Sequence, residues 1–195
     1  MQAITISKAA AGYRALWEGH ERDLHAKFAD IPDTDDLRRA MHGFRISRSF
    51  KGIGESNDPG KQKAKSIIRQ LLIVEDNNDT VASVVGLTDS FEVEFGRRNL
   101  SAASKLLWLR HRAPYVIYDS LAVKELMKLG HRKIAGDYNA FVSAWRMEFD
   151  KRSTEIALAT KALPPLSDGQ DKDSPWFLER VFDKYLWDLG KQTQS

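Results

Sequence analysis

The sequence has no cysteine. That excludes disulfides, thiolate zinc sites, cysteine-ligated iron–sulfur clusters and a cysteine nucleophile. It also fits a reducing compartment. Long apolar runs are missing too: no stretch approaches the roughly 20 residues that cross a bilayer. The first residues, MQAITISKAAAGYRALWEGHERD, turn charged quickly and hold no apolar segment of the signal-peptide kind. A soluble chain in the cytoplasm, with no membrane partner, is the expectation. Metal-binding spacing is absent among the five histidines, His20, His25, His42, His111 and His131. His20 and His25 are five apart, off-register for shared ligation on a helix. No metal and no cofactor are expected, and neither repeats nor low-complexity tracts occur.

What is present suits one domain. The chain has 195 residues, 42% of them hydrophobic, enough to build a core. Net charge is only +3, but it is segregated. Arg38 to Arg69 holds nine Lys or Arg against two acids, and Arg97 to Lys133 holds nine against two again, so the rest is net acidic. Folded to one side, the two segments would make a face for a polyanion; otherwise they are two solvated helical faces.

Helical periodicity runs through nearly every segment. Tyr13, Trp17, His20, Leu24 and Phe28 predict a long first helix over about residues 6–29. Ile31-Pro32-Asp33 ends it, and a second helix starts after Asp33 or Thr34 and runs towards Phe44. Residues 45–61 are rich in glycine and turn formers and read as a loop. Lys61 starts the next helix, with Ala64, Ile67, Ile68, Leu71 and Leu72 as its buried stripe. Asp76 to Asp79 make a polar turn. Val81, Val84, Val85, Thr88 and Phe95 suggest another helix, although Phe91 and Val93 alternate with acids in the manner of a short strand. A helix over about 101–112 follows, capped by Asn99 or Ser101. Pro114 stops it and sends Ala113 to Tyr118 along an extended path. A further helix starts at Asp119 and stops at Gly130. Tyr138, Val142, Trp145 and Phe149 mark a long helix over about 137–161. Leu163 to Asp173 is a polar linker loop, and Ser174-Pro175 opens a C-terminal docking helix that Gly190 ends. The tail beyond it reads as frayed. The fold class is therefore all-α, a compact multi-helix bundle in a single domain over residues 1–195. The Trp and Phe stripes, Trp145, Trp176 and Trp187 among them, are core by default.

One stretch carries candidate chemistry: NLSAASKLLWLRHRAPYVIYDSLAVKEL, Asn99 to Leu126. Ala102, Ala103 and Ser104 allow close backbone approach where unpaired N–H groups favour a phosphate. Asp119 sits at the mouth of a helix, beside a wall of Tyr115, Ile117 and Tyr118. Apolar walls disfavour an ammonium, so an amine nearby is better placed to attack. Trp108 and Arg112 share a face with Lys105. Taken alone, Asp119 is an ordinary N-cap and Lys105 a surface lysine. Arg45, Arg48 and Lys51, with Gly52 and Gly54, form either a backbone-binding basic loop or a flexible one.

This pattern resembles the helix-hairpin-helix DNA glycosylase superfamily, and within it the small bacterial proteins related to 8-oxoguanine glycosylases. Lys105 matches the Lys of its bifunctional members, and Asp119 matches the Asp essential to base release. Arg180 to Gly190, RVFDKYLWDLG, is similar to the last helix of those proteins. The superfamily's hairpin reads Leu-Pro-Gly-x-Gly, where this chain has Asn99-Leu100-Ser101-Ala102-Ala103. The resemblance implies a DNA partner, a duplex with one flipped base, with Lys105 and Asp119 as the catalytic pair. Trp108, Tyr115 and Tyr118 would line the pocket. Arg45, Arg48, Lys51, Arg97, Arg98, Ser101, Arg110 and Arg112 would hold DNA. A role in bacterial defence against foreign or modified DNA follows by analogy. The alternative, favoured by the missing glycine hairpin, is a catalytically silent domain on the same scaffold that binds nucleic acid or a partner.

Overall fold

The computed structural model describes residues 4–53, 55, 57–74 and 79–192. It is all-α, with no strand among the described residues. Asp76 to Asn78 of the expected polar turn, Gly54 of the basic loop and the tail beyond Gln192 lie outside them. By its backbone contacts the chain divides into two units. One comprises the chain up to Arg22 together with the chain from Tyr118 onwards, and the other runs from Asp23 to Ile117.

The first helical run begins at α1 (Ile6–Leu16), where the Thr5 side chain accepts from the Lys8 amide. A π-helical turn, Trp17–Glu21, follows, and then α2 (Arg22–Ala29). The π turn explains a departure from the sequence periodicity. Its wider coil shifts the buried face by one position, so Glu21 is buried where His20 was expected, and His20 is exposed.

In the first unit, α7 (Ser120–Lys128), α8 (Tyr138–Lys161) and α9 (Pro175–Gln192) join α1, and α9 packs against each of the other three. Aromatic side chains fill the core: Tyr13 meets Phe177 at 4.9 Å, Trp17 meets Trp176 at 4.6 Å, and Trp145 meets Phe182 at 5.1 Å between ring centres. Gly190 does not end α9 but lies inside it, buried. A β-carbon there would come within 2.7 Å of the Leu121 β-carbon and 2.9 Å of its carbonyl oxygen. Glycine is thus what lets α9 approach the first turn of α7. The loop 163–173 belongs wholly to this unit and is strapped to the π turn and to Arg22, the first residue of α2. Trp17 Nε1 donates to Asp168 at 3.0 Å, Arg22 to Ser167 Oγ at 3.1 Å, and the Ser167 amide to Glu18 at 3.3 Å. Ser174 opens α9 through its carbonyl, which accepts from Phe177 and Leu178, rather than through its hydroxyl.

The second unit holds α2 beyond Arg22, α3 (Thr34–Gly43), α4 (Asp58–Ile73), α5 (Thr80–Phe95) and α6 (Leu100–His111). Asp33 caps α3 in a reciprocal box with Asp36. α4 starts three residues before Lys61, because Asn57 accepts from the Gly60 amide and Pro59 suits a first turn. α5 replaces the strand weighed for Phe91 and Val93: Phe91 is buried at helical spacing from Leu87 and Val84, and Val93 points outwards, 89% exposed.

Candidate functional site

Helix α6 owes its start to Asn99, whose side chain accepts from the Ala102 amide at 3.0 Å. Ser101 sits half-buried in the first turn. From Ala102 to Leu109 every residue is buried, so α6 runs through the second unit as a core helix rather than across its surface. Lys105 lies inside that buried run, 7% exposed, and its ammonium donates to the Phe44 carbonyl at 3.3 Å. Trp108, one turn on, is 1% exposed and packs against His25 and Phe44. Burial is the main cause that lowers His25 to about 4, and the charges of Arg112 and His111 add to it.

α6 ends at Arg112, which takes a left-handed backbone (φ 58°) and donates its amide to the Trp108 carbonyl. A cis peptide precedes Pro114. Tyr115, Val116 and Ile117 are then buried, Tyr115 to 1% exposure. Tyr118 belongs to the first unit. Its hydroxyl accepts from the Gly136 amide at 2.8 Å, and its ring packs edge-on against Phe141. Asp119, half-buried and extended, caps α7 by accepting from the Leu121 amide at 2.9 Å. Lys105 is therefore a residue of the second unit and Asp119 of the first.

The basic residues sort into three groups. Arg45, Arg48 and Lys51 are exposed, whereas Ile46, Phe50 and Ile53 between them are buried. Phe50 stands edge-on against Phe91 and Phe95, and Arg38 donates to the Ile53 and Glu55 carbonyls at 3.0 and 2.8 Å. Gly60 admits the loop closely, since a β-carbon there would overlap the Glu55 and Gly52 carbonyl oxygens. The loop is thus pinned from inside and presents its cations outwards. Arg97 is exposed as well, while Arg98 pairs with Asp89 at 2.7 Å. Arg110 has structural work: its guanidinium donates to the Phe28 and Asp30 carbonyls at the end of α2.

Sequence reasoning missed two buried charge clusters in the first unit. Arg180 donates to Glu21 at 2.9 Å and to Asp183 at 3.2 Å, and Trp145 Nε1 donates to Asp183 at 2.8 Å. Burial pushes the Asp183 carboxyl up to about 6 against the Arg180 guanidinium, and the charge of Asp119 adds to the rise. Burial likewise lifts Glu179 to about 7. In the second cluster Glu148 meets His131 at 3.0 Å, Lys151 at 2.6 Å and Arg152 at 2.6 Å. Burial alone would raise that carboxyl, but the three donors together hold it at about 2. A polar residue at a helical core position, Glu21 or Arg180, was the only signal available.

Two open grooves flank α4 in the second unit, about 560 Å³ beside Pro32, Ile68 and Leu72 and about 380 Å³ beside Ala82, Gly86 and Ser90. Neither includes Lys105. No group of three or more His, Cys, Asp or Glu among the described residues could hold a metal ion, and no helix among them is long and apolar enough to cross a membrane. No protein-family model, curated protein or solved structure matches the chain.

Proposed function

We propose that the protein is a DNA N-glycosylase of the helix-hairpin-helix type, with Lys105 as nucleophile and Asp119 as the carboxylate that supports base release. The burial of Lys105 carries this reading. A lysine is almost never so deeply buried without cause, because desolvating an ammonium is costly. Its neighbours on α6 are Ala102, Leu106, Trp108 and Leu109, with Ser101 and Ser104, and a leucine or methionine would fill the position without that cost. A position that keeps an amine largely out of water is suited to covalent catalysis.

In the proposed reaction a nucleotide leaves the duplex stack. The Lys105 amine attacks the anomeric carbon of the sugar, and the glycosidic bond breaks, its electron pair and a proton leaving with the base. The proton that the amine gives up is the one that leaves with the base, and Asp119 keeps the role that the resemblance assigns it, support of base release. The sugar ring then opens to a Schiff base, from which β-elimination breaks the strand. Arg45, Arg48, Lys51 and Arg97 supply exposed cations for backbone phosphates.

A silent nucleic-acid-binding domain is favoured by a separate observation: Trp108 and Tyr115, expected to wall a base pocket, are both 1% exposed. Borohydride trapping separates the readings. Wild-type protein is incubated with duplexes carrying 8-oxoguanine, an alkylated base, a deaminated base or an abasic site. Covalent adduct on at least one of them, absent in Lys105→Met and reduced in Asp119→Asn, supports the enzyme. No adduct on any of them, or one that survives Lys105→Met, overturns it.

A further inference from the structure

A cationic turn follows α7. Lys124, Lys128, Arg132 and Lys133 place four exposed cations in ten residues. The carboxylate inside this stretch, Glu125, is buried and receives Lys128 at 2.5 Å. Glu148, which ties the turn to α8 through His131, already shares its charge with Lys151 and Arg152. Asp137, next along the chain, is engaged as the cap of α8, accepting from the Ala140 amide. Positive charge therefore dominates the surface here. Met127 and Leu129 stand among the cations, 48% and 47% exposed.

Backbone conformation adds an independent sign. The turn is built firmly: the Gly130 amide bonds to Met127 and the His131 amide to Leu126, the double bond pattern of a helix stop, with Gly130 at φ 98°. Lys133 then adopts φ 59°, a left-handed conformation that favours glycine. Arg45 and Arg112 are the other non-glycine residues with positive φ among those described, and both are cations too. Side chains kept where the backbone disfavours them point to work done by the side chain.

The geometry points to this turn as a contact for the phosphate backbone of nucleic acid, with Lys124, Arg132 and Lys133 on phosphates and Met127 and Leu129 against the sugars. The inference rests on the nucleic-acid part of the function proposed above, and stands whether or not Lys105 and Asp119 do chemistry. Each cation that neutralises a phosphate of duplex DNA contributes about 0.9 to the slope of log affinity against log salt.

The test is fluorescence anisotropy of a labelled, undamaged DNA duplex spanning two helical turns, titrated at several salt concentrations. The triple variant Lys124→Gln/Arg132→Gln/Lys133→Gln is expected to lose about tenfold or more in affinity at low salt and to lower the slope by about 2 to 3. The control Lys8→Gln/Lys27→Gln/Lys161→Gln, which neutralises exposed cations outside the turn, is expected to lower it far less. Lys133→Gly alone should melt no lower than wild type and yet bind more weakly, a pairing that general damage would not give. Equal losses in both triple variants, or an unchanged slope in the first while wild type binds, would sink the inference and leave the proposed function standing. Absence of salt-dependent binding by wild type would remove both. Binding to phosphatidylserine vesicles that the first triple variant abolishes, with duplex binding unaltered, would overturn the inference in favour of a lipid surface.

Discussion

Two glycines inside helices should answer the same substitution with opposite signs. Gly190 lies within α9 and Gly86 within α5. Replacing a mid-helix glycine by alanine gains about 1 kcal/mol from reduced freedom of the unfolded chain. At Gly86 nothing stands within 4 Å of the new β-carbon, so Gly86→Ala should realise the gain, about 0.5 to 1 kcal/mol. At Gly190 the new atom would lie 2.7 Å from the Leu121 β-carbon, 2.9 Å from its carbonyl oxygen and 3.1 Å from its α-carbon. Comfortable carbon contacts are about 3.5 to 4.0 Å, and two of those three atoms are backbone, so a rotamer change cannot relieve the overlap. One helix must shift by roughly an ångström. Overpacking of this kind costs about 1 to 3 kcal/mol, and a clash with backbone atoms falls in the upper part of that range, so the helix gain is outweighed and the net loss is up to about 2. Urea unfolding followed by circular dichroism gives the midpoints, and amide exchange at Leu121 reports whether the disturbance is local. That amide is the one Asp119 accepts from, so Gly190→Ala should also slow borohydride trapping while leaving duplex affinity intact. A midpoint that rises in Gly190→Ala as it does in Gly86→Ala would refute the close-approach argument.

Three further predictions concern titration. His25 should show a midpoint near 4 by NMR. Because its folded value lies below the ordinary 6.5, the unfolded chain binds the extra proton between the two, so stability rises with pH across that window and is complete above it; a midpoint near 6.5 would mean the ring is solvated. Glu148, held at about 2, contributes stability above pH 4.5 that is lost as pH falls towards 2. At face value the shift is worth about 3 kcal/mol, and because Lys151 is largely exposed about 1 to 2 should survive screening; Glu148→Gln should flatten that acid limb, and an unchanged limb would count against the cluster. Glu179 has the opposite sign: raised to about 7, it favours the fold below pH 4.5 and loses that advantage as pH climbs to 7, so Glu179→Gln should be more stable than wild type at pH 8 and little different at pH 4.

Several helix starts were legible from a cap residue, although Asn57, which caps α4, passed unread in the glycine-rich loop. Asp33, Asn99 and Asp119 each accept from an amide two or three residues ahead, and α3, α6 and α7 begin within a residue or two of expectation, as does α8, which was placed by its aromatic spacing. The first helix misled because periodicity assumes 3.6 residues per turn. One π turn put Glu21 inward, and nothing local in WEGHE announces it. The strand weighed at Phe91 failed because alternation over four residues is too short to compete with a stripe that spans α5. Gly190 read as a stop since glycine is common there; its partner, Leu121, is distant in sequence, and only the fold brings them together. The same limit applies to the site. Asp119 as a helix cap was readable, and so was the basic loop, though not that Arg38 pins it or that Ile46, Phe50 and Ile53 anchor it. The depth of Lys105 was hidden because Ser101, Ser104 and Lys105 fall at helical spacing and read as a polar face, whereas every residue from Ala102 to Leu109 is buried.

That depth gives stability and function different stakes in one side chain. Methionine has nearly the shape of lysine without the charge. If Lys105 only fills space, Lys105→Met should be neutral or stabilising, because replacing a buried ion by an apolar isostere often is. The Phe44 carbonyl loses a donor, but Phe44 is only half-buried, so water can substitute. A fold that gains from Lys105→Met and still contains lysine holds a residue kept against its own stability, as sites selected for chemistry do. The decisive observation is therefore a pair of measurements on one variant. Raised or equal unfolding midpoint together with complete loss of trapped adduct assigns Lys105 to catalysis. A fall of several kcal/mol assigns it to the core, and α6 is then a structural helix whose lysine holds the end of α3 in place.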